Sequence, residues 1–251
     1  MANPTPADAL RIAKIAVAAR YDGAAYAFAA GSIMRGEGTR LSDIDLVVVY
    51  DRLDAARREA FMAENIPVEA FIHDPETLAW FIDEDVRTGC PVLLDMIVHG
   101  VVIGDAEGSA KTLQEDMARQ LDEGPPALTR DALDALRYQI TDTINDLRGE
   151  RSDREIMAIG AVLYPSLVEL TLRGRGNWNG TGKWAARLLA AADSDLAAQF
   201  HQAFGKLFTS GASDGVIELA EQVLERHGGP LFTGYRRVAP ATWRTARDED
   251  R

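Results

Sequence analysis

The stretch Ala27-Phe28-Ala29-Ala30-Gly31-Ser32-Ile33-Met34-Arg35-Gly36-Glu37-Gly38-Thr39-Arg40-Leu41-Ser42-Asp43-Ile44-Asp45-Leu46-Val47-Val48-Val49 decides how the chain is read. An apolar run ends at Gly31-Ser32, and a loop carrying Arg35, Gly36, Gly38 and Arg40 follows. Asp43 to Val49 then reads as a short, β-branched strand. Side chains alternate along a strand, so Asp43 and Asp45 share one face and Ile44 and Leu46 the other. Two carboxylates side by side at the mouth of a buried strand repel each other. A divalent cation between them removes the repulsion, and hard oxygen ligands suit Mg²⁺. Gly31 and Gly36 let the backbone approach a ligand closely, and turn amides form an anion-binding concavity. An anion site beside a carboxylate pair suits a metal-bound nucleotide.

Outward from this stretch, residues 7–22 have helical spacing in Ala9, Leu10, Ile12, Ile15, Ala16 and Ala19. Strands are expected over 25–30, 43–50 and 66–73, and a helix over 51–64 with Arg57, Arg58 and Glu59 exposed. Asp74-Pro75-Glu76 reads as a helix start, with Asp74 as N-cap. That helix ends near Gly89; a second over 91–99 and an edge strand at Val101-Val102-Ile103 follow. Gly124-Pro125-Pro126 marks a linker. Beyond it the pattern changes to amphipathic helices over 131–147, 154–172, 181–192, 195–208 and 214–227, the first N-capped by Thr129. The expected division is 1–122 and 123–251, and the expected class is α+β, an α/β half followed by an all-α half.

The 251 residues are 47% hydrophobic, enough for a substantial core. No run of about eighteen apolar residues suggests a membrane span. The start Met1-Ala2-Asn3-Pro4-Thr5 lacks signal-peptide character, and Cys90 is the single cysteine. A soluble, cytoplasmic protein is expected. A net charge of −12 and a pI near 4.8 argue against a grip on long nucleic acid, which needs clustered cations, and suit a cationic small substrate.

The central stretch resembles the signature of nucleotidyltransferases of the DNA polymerase β superfamily: Gly-Ser, a loop, then Asp-apolar-Asp-apolar. It is met by Gly31-Ser32, by Asp43-Ile44-Asp45-Leu46, and by Arg35-Gly36 and Ser42 within the loop. Over both halves the chain is similar to the aminoglycoside adenylyltransferases and kanamycin nucleotidyltransferase. The second half carries the less specific likeness, in Asn179-Gly180-Thr181-Gly182-Lys183-Trp184. The resemblance implies a small mixed-sheet catalytic domain followed by a helical bundle closing a cleft. It implies Asp43 and Asp45 as ligands of Mg²⁺, Glu69 as a third carboxylate and general base, and ATP as co-substrate. Gly31, Ser32, Arg35 and Ser42 fall on its nucleotide-binding positions, and Lys183 on that of a helical-domain lysine that reaches the triphosphate. A small-molecule hydroxyl, plausibly on an aminoglycoside, would be the acceptor.

Other readings stay open. Glu69 is also a lone carboxylate in an apolar strand, Asp74 is a rival third carboxylate, and Arg40 is equally a solvated residue. Asp142, Asp146 and Glu169 are candidate contacts for a polycation, while Trp178, Trp184 and Tyr235 suit packing or nucleotide. His73, His99, His201 and His227 show no metal spacing. Rival functions are a nucleotidyltransferase acting on protein or RNA, of the toxin–antitoxin type, and a nucleotide-binding module without catalysis.

Overall fold

The computed structural model describes residues 3–105 and 107–239. The chain forms two compact units that divide between Pro126 and Ala127.

The first unit opens with helix α1, Pro6–Arg20, whose N-cap Thr5 accepts from Asp8 N at 3.2 Å. Strands β1 (Tyr26–Ala30) and β2 (Ile44–Val49) pair antiparallel, with Ala30 opposite Asp45. Next come β3 (Arg57–Ala63) and β4 (Ile66–His73). Helices α2 (Pro75–Thr88) and α3 (Val92–His99), edge strand β5 (Val101–Gly104) and helix α4 (Ser109–Glu123) complete the unit. The sheet order is β3-β4-β2-β1-β5, with β2 and β4 parallel and the other pairs antiparallel. This mixed five-stranded sheet, followed by a helical region, is the α+β class expected.

Strand alternation sorts the sheet into two faces. Ile44, Leu46, Val48, Val68, Ala70 and Ile72 pack with Ala9, Ile12, Ala13 and Ala16 of α1. Asp45, Glu69 and Phe71 therefore project from the opposite face, the one α3 covers further along β1 and β2.

The helix expected over 51–64 is instead β3. Its composition favours a helix, but Glu64 and Asn65 take φ of 48° and 66°, the paired positive values of a tight hairpin turn. That turn folds Arg57–Ala63 back on β4, and pairing outweighs local propensity. Helix α4 had no counterpart in the sequence reading; Asp105 starts it by accepting from Ala110 N at 2.8 Å.

Neighbouring side chains cap α3 at both ends. Pro91 offers no side-chain cap, so Asp85 of α2 accepts from Leu93 N at 2.6 Å and Leu94 N at 3.1 Å. Gln114 of α4 donates to Ile97 O at 2.8 Å and Gly100 O at 2.9 Å. Burial pushes the Asp85 carboxyl up from 3.8 to about 6, against the opposing pull of the two amides. The folded chain thus binds this proton more tightly than the unfolded chain, and stability falls as pH rises from 3.8 to about 6. Asp85→Asn keeps an acceptor for the amides and removes the charge. Its melting temperature should match the parent's near pH 4 and exceed it above pH 6; parallel melting curves across that window would clear Asp85 of the cost.

The second unit contains α5 (Arg130–Arg148), α6 (Asp153–Arg173), α7 (Lys183–Ala192), α8 (Ser194–Ser210) and α9 (Asp214–Glu225). Thr129 caps α5 by accepting from Ala132 N at 3.2 Å. Ile140, Ile144, Leu163, Leu167, Phe200 and Val216 centre its core. After α9 the chain turns at Gly228 and Gly229, whose carbonyls accept from Arg137, and Tyr235 stacks on Tyr138 at 4.1 Å. Among the described residues α6 alone is long and apolar enough to cross a membrane, with mean hydropathy 1.5; it is the core helix of this unit and carries Glu169 and the buried Arg173.

Candidate active site

The site begins where β1 ends. Gly31 takes φ +96°, and a Cβ there would overlap a carboxylate oxygen of Asp45. Only glycine lets the chain turn at this point while Asp45 keeps its place. The turn that follows is held by its backbone: Gly31 O accepts from Arg35 N at 3.3 Å, Ile33 O from Gly36 N at 2.9 Å and Ser32 O from Glu37 N at 2.9 Å. Ser32 is buried and Ile33 fully so. Gly36 takes φ +76°, which ends the turn. The Ser42 hydroxyl accepts from Thr39 N at 2.9 Å and closes the loop just before Asp43.

β2 then delivers Asp45 beside Glu69, its partner in the parallel register with β4. Asp43, Asp45 and Glu69 each offer a carboxylate oxygen, and these atoms lie within 4.8 Å of one another. All three side chains are half-buried. Three hard oxygen donors this close can hold a divalent cation, and their mutual repulsion favours one. The structure thus brings together residues 26 positions apart in the chain.

Arg58 was missed by sequence reasoning, which placed it on an exposed helix face. Its Nη2 lies 2.5 Å from Glu69 Oε2. The rival carboxylate Asp74 serves the fold: it accepts from Thr77 N at 2.9 Å and Leu53 N at 3.1 Å, contacts that hold its carboxyl down to about 2.

The other sequence candidates sit as follows. Arg35 forms an ion pair with Asp95 of α3 at 2.8 Å, and the His99 ring is 3.1 Å from the same carboxylate. Arg40 is exposed in the loop. Lys183 is exposed on the first turn of α7, after Gly182 at φ 53°. Trp178 and Trp184 are half-buried, and Arg187 lies 4.9 Å over the Trp184 ring. Asp142 is exposed, and Asp146 pairs with Arg151 at 2.9 Å. Glu169 is half-buried on α6; burial pushes its carboxyl up, with Arg173 opposing. His73 is buried edge-on to Phe81 at 5.1 Å, and burial pulls its pKa down. No histidine joins the acidic group among the described residues.

Residues 11–88 match the family model of the nucleotidyltransferase domain. The matched span contains Gly31, Ser32, Asp43, Asp45, Arg58 and Glu69. No curated protein matches the chain. Among solved structures, a nucleotidyltransferase-like protein from Exiguobacterium sibiricum 255-15 is similar over 86% of this chain and 74% of its own, at 10% identity and a TM-score of 0.46.

Proposed function

We propose that this chain, with a match to a nucleotidyltransferase domain over residues 11–88, transfers AMP from ATP to a hydroxyl of a small molecule. The observation that carries the reading is the convergence of Asp43, Asp45 and Glu69 within 4.8 Å, beside the glycine turn that Asp45 itself fills.

In this reading Asp43 and Asp45 hold Mg²⁺, which supplies charge stabilisation at the oxygens around the α-phosphorus. The amides of the Gly31-Ser32 turn receive the β- and γ-phosphates. Arg35, anchored by Asp95, adds positive charge beside that turn, and Ser42 fixes the loop that carries Asp43. Glu69 accepts the acceptor's hydroxyl proton as that oxygen bonds to the α-phosphorus and the bond to pyrophosphate breaks. These residues act by orientation and by charge placed before reaction, which supply most of the catalysis in phosphoryl-type transfer. The acidic balance of the chain supports a cationic acceptor of the aminoglycoside type.

The test is pyrophosphate release from ATP, with and without Mg²⁺, across aminoglycosides, lincosamides and other hydroxylated acceptors. Release that needs both Mg²⁺ and one such acceptor supports the reading. Release only with a protein or RNA acceptor redirects it, and none with any acceptor rejects catalysis.

From the resemblance over residues 179–184 alone, we propose Lys183 as a triphosphate contact. Lys183→Ala should therefore lower MgATP affinity about ten- to a hundredfold, the worth of a charge-assisted contact. AMP, lacking the outer phosphates, should lose far less. Unchanged MgATP affinity would return Lys183 to solvent.

A further inference from the structure

Arg58 lies on the edge strand β3, on the same face of the sheet as Glu69. In the antiparallel register Ala60 stands opposite Glu69 and Arg58 opposite Phe71. The guanidinium reaches diagonally to Glu69 at 2.5 Å, and its central carbon lies 4.8 Å from the Phe71 ring centre. The cation therefore has two seats, the third carboxylate of the acidic group and an aromatic face beside it. An arginine over an aromatic ring is attracted by the ring's negative face.

The electrostatics run the same way. Three carboxylates within 4.8 Å of one another repel, and a positive charge nearby lowers the cost of holding them together. Arg58 supplies it, and it does so at an oxygen of Glu69 that can also serve as a metal ligand. The Arg58 side chain is 62% exposed against 24% for Glu69. Displacing so exposed a partner costs little, because solvated ion pairs are weak.

Arg57 gives the contrast. One residue earlier it points to the other face of β3, where it pairs with Glu59 at 2.8 Å. The two arginines carry the same charge on the same strand, but only Arg58 touches the acidic group.

We infer that Arg58 is a resident counter-cation of the acidic group, neutralising Glu69 in the metal-free protein and giving way to a divalent cation by letting go of Glu69 while it stays seated over Phe71. The inference rests on the metal role proposed for Asp43 and Asp45, whose carboxylates have Glu69 within 4.8 Å. Metal affinity at this site is then set by a competition within the chain, and Glu69 is released for its own role only when a cation arrives.

Binding of Mn²⁺, which can replace Mg²⁺ and is visible by electron paramagnetic resonance, tests this without any turnover. Arg58→Gln should bind Mn²⁺ about three- to tenfold more tightly than the parent, as expected for loss of a competing, largely exposed ion pair. Arg57→Gln should stay within about twofold, since Arg57 lies on the other face of β3 and its charge is paired with Glu59. Arg58→Lys keeps the charge but loses the planar seat over Phe71, so its gain should be smaller than that of Arg58→Gln. Metal-free Arg58→Gln should melt below the parent, and saturating Mn²⁺ should close the gap. Equal or weaker Mn²⁺ binding by Arg58→Gln, with the parent binding normally, overturns the inference and leaves the metal reading standing. A gain in Arg58→Lys as large as in Arg58→Gln also overturns it, because charge is then not the cause. Failure of every protein, parent included, to bind Mn²⁺ removes the metal reading and this inference together.

Discussion

Asp45→Asn should lower turnover at least about 10²–10³-fold, the scale on which a fixed electrostatic group acts in a transition state, while the protein stays folded. Asparagine has nearly the shape of aspartate, so the space that Gly31 leaves for the Asp45 carboxylate accepts it without a clash. The parallel pairing of Asp45 with Glu69 is made by backbone and survives the change. What disappears is one of three negative charges within 4.8 Å. The metal-free protein should melt at the parent's temperature or slightly above, because repulsion is relieved. Pyrophosphate release and a melting curve on the same preparation decide the matter. Activity within a few fold of the parent would remove Asp45 from the metal site, and a collapsed melting temperature would make the residue structural.

The second large effect separates chemistry from binding. Glu69→Gln keeps an oxygen for Arg58 to donate to and removes the ability to accept a proton. If Glu69 is the base, turnover should fall at least ~10²-fold, the usual contribution of a positioned base, with MgATP binding within about tenfold of the parent. Single-turnover rates and a nucleotide titration give the two quantities separately. A parallel loss of nucleotide binding would make Glu69 a metal ligand first. Retention of both would leave it as a strand residue paired with Arg58 and nothing more.

Much of the site was legible because its parts lie close together in the chain. Gly31, Ser32, Asp43 and Asp45 fall within one turn, one loop and one strand, and alternation alone places the aspartates together. Glu69 was legible as a carboxylate in an apolar strand, but its pairing with Asp45 is a matter of register, which nonlocal packing fixes. Arg58 was invisible for a related reason. The run Leu53–Glu64 is rich in alanine, arginine and glutamate, which favour helix, and an arginine on a helix face has no reason to meet Glu69. The turn at Glu64-Asn65 reverses that reading, and only asparagine there is a residue that enters positive φ readily. The ion pair between Arg35 and Asp95 was hidden too, since it joins the glycine turn to a helix 60 residues further on. In the helical unit, apolar spacing gave α5 through α9 with small shifts at their ends, because one-sided burial leaves a regular pattern.

The three carboxylates are not anchored alike. Asp45 and Glu69 sit inside hydrogen-bonded strands, whereas Asp43 precedes the first residue of β2 and follows the loop closed by Ser42. Two of the oxygens therefore move with the sheet and the third moves with the loop. A cation gripping all three would tie that loop to the sheet, and a ligand that stiffened the loop would prepare the cation's third contact. Occupancy of one would then be thermodynamically linked to occupancy of the other, with equal strength in both directions. The order of arrival would be free, and the advantage of arriving second would be the same for either.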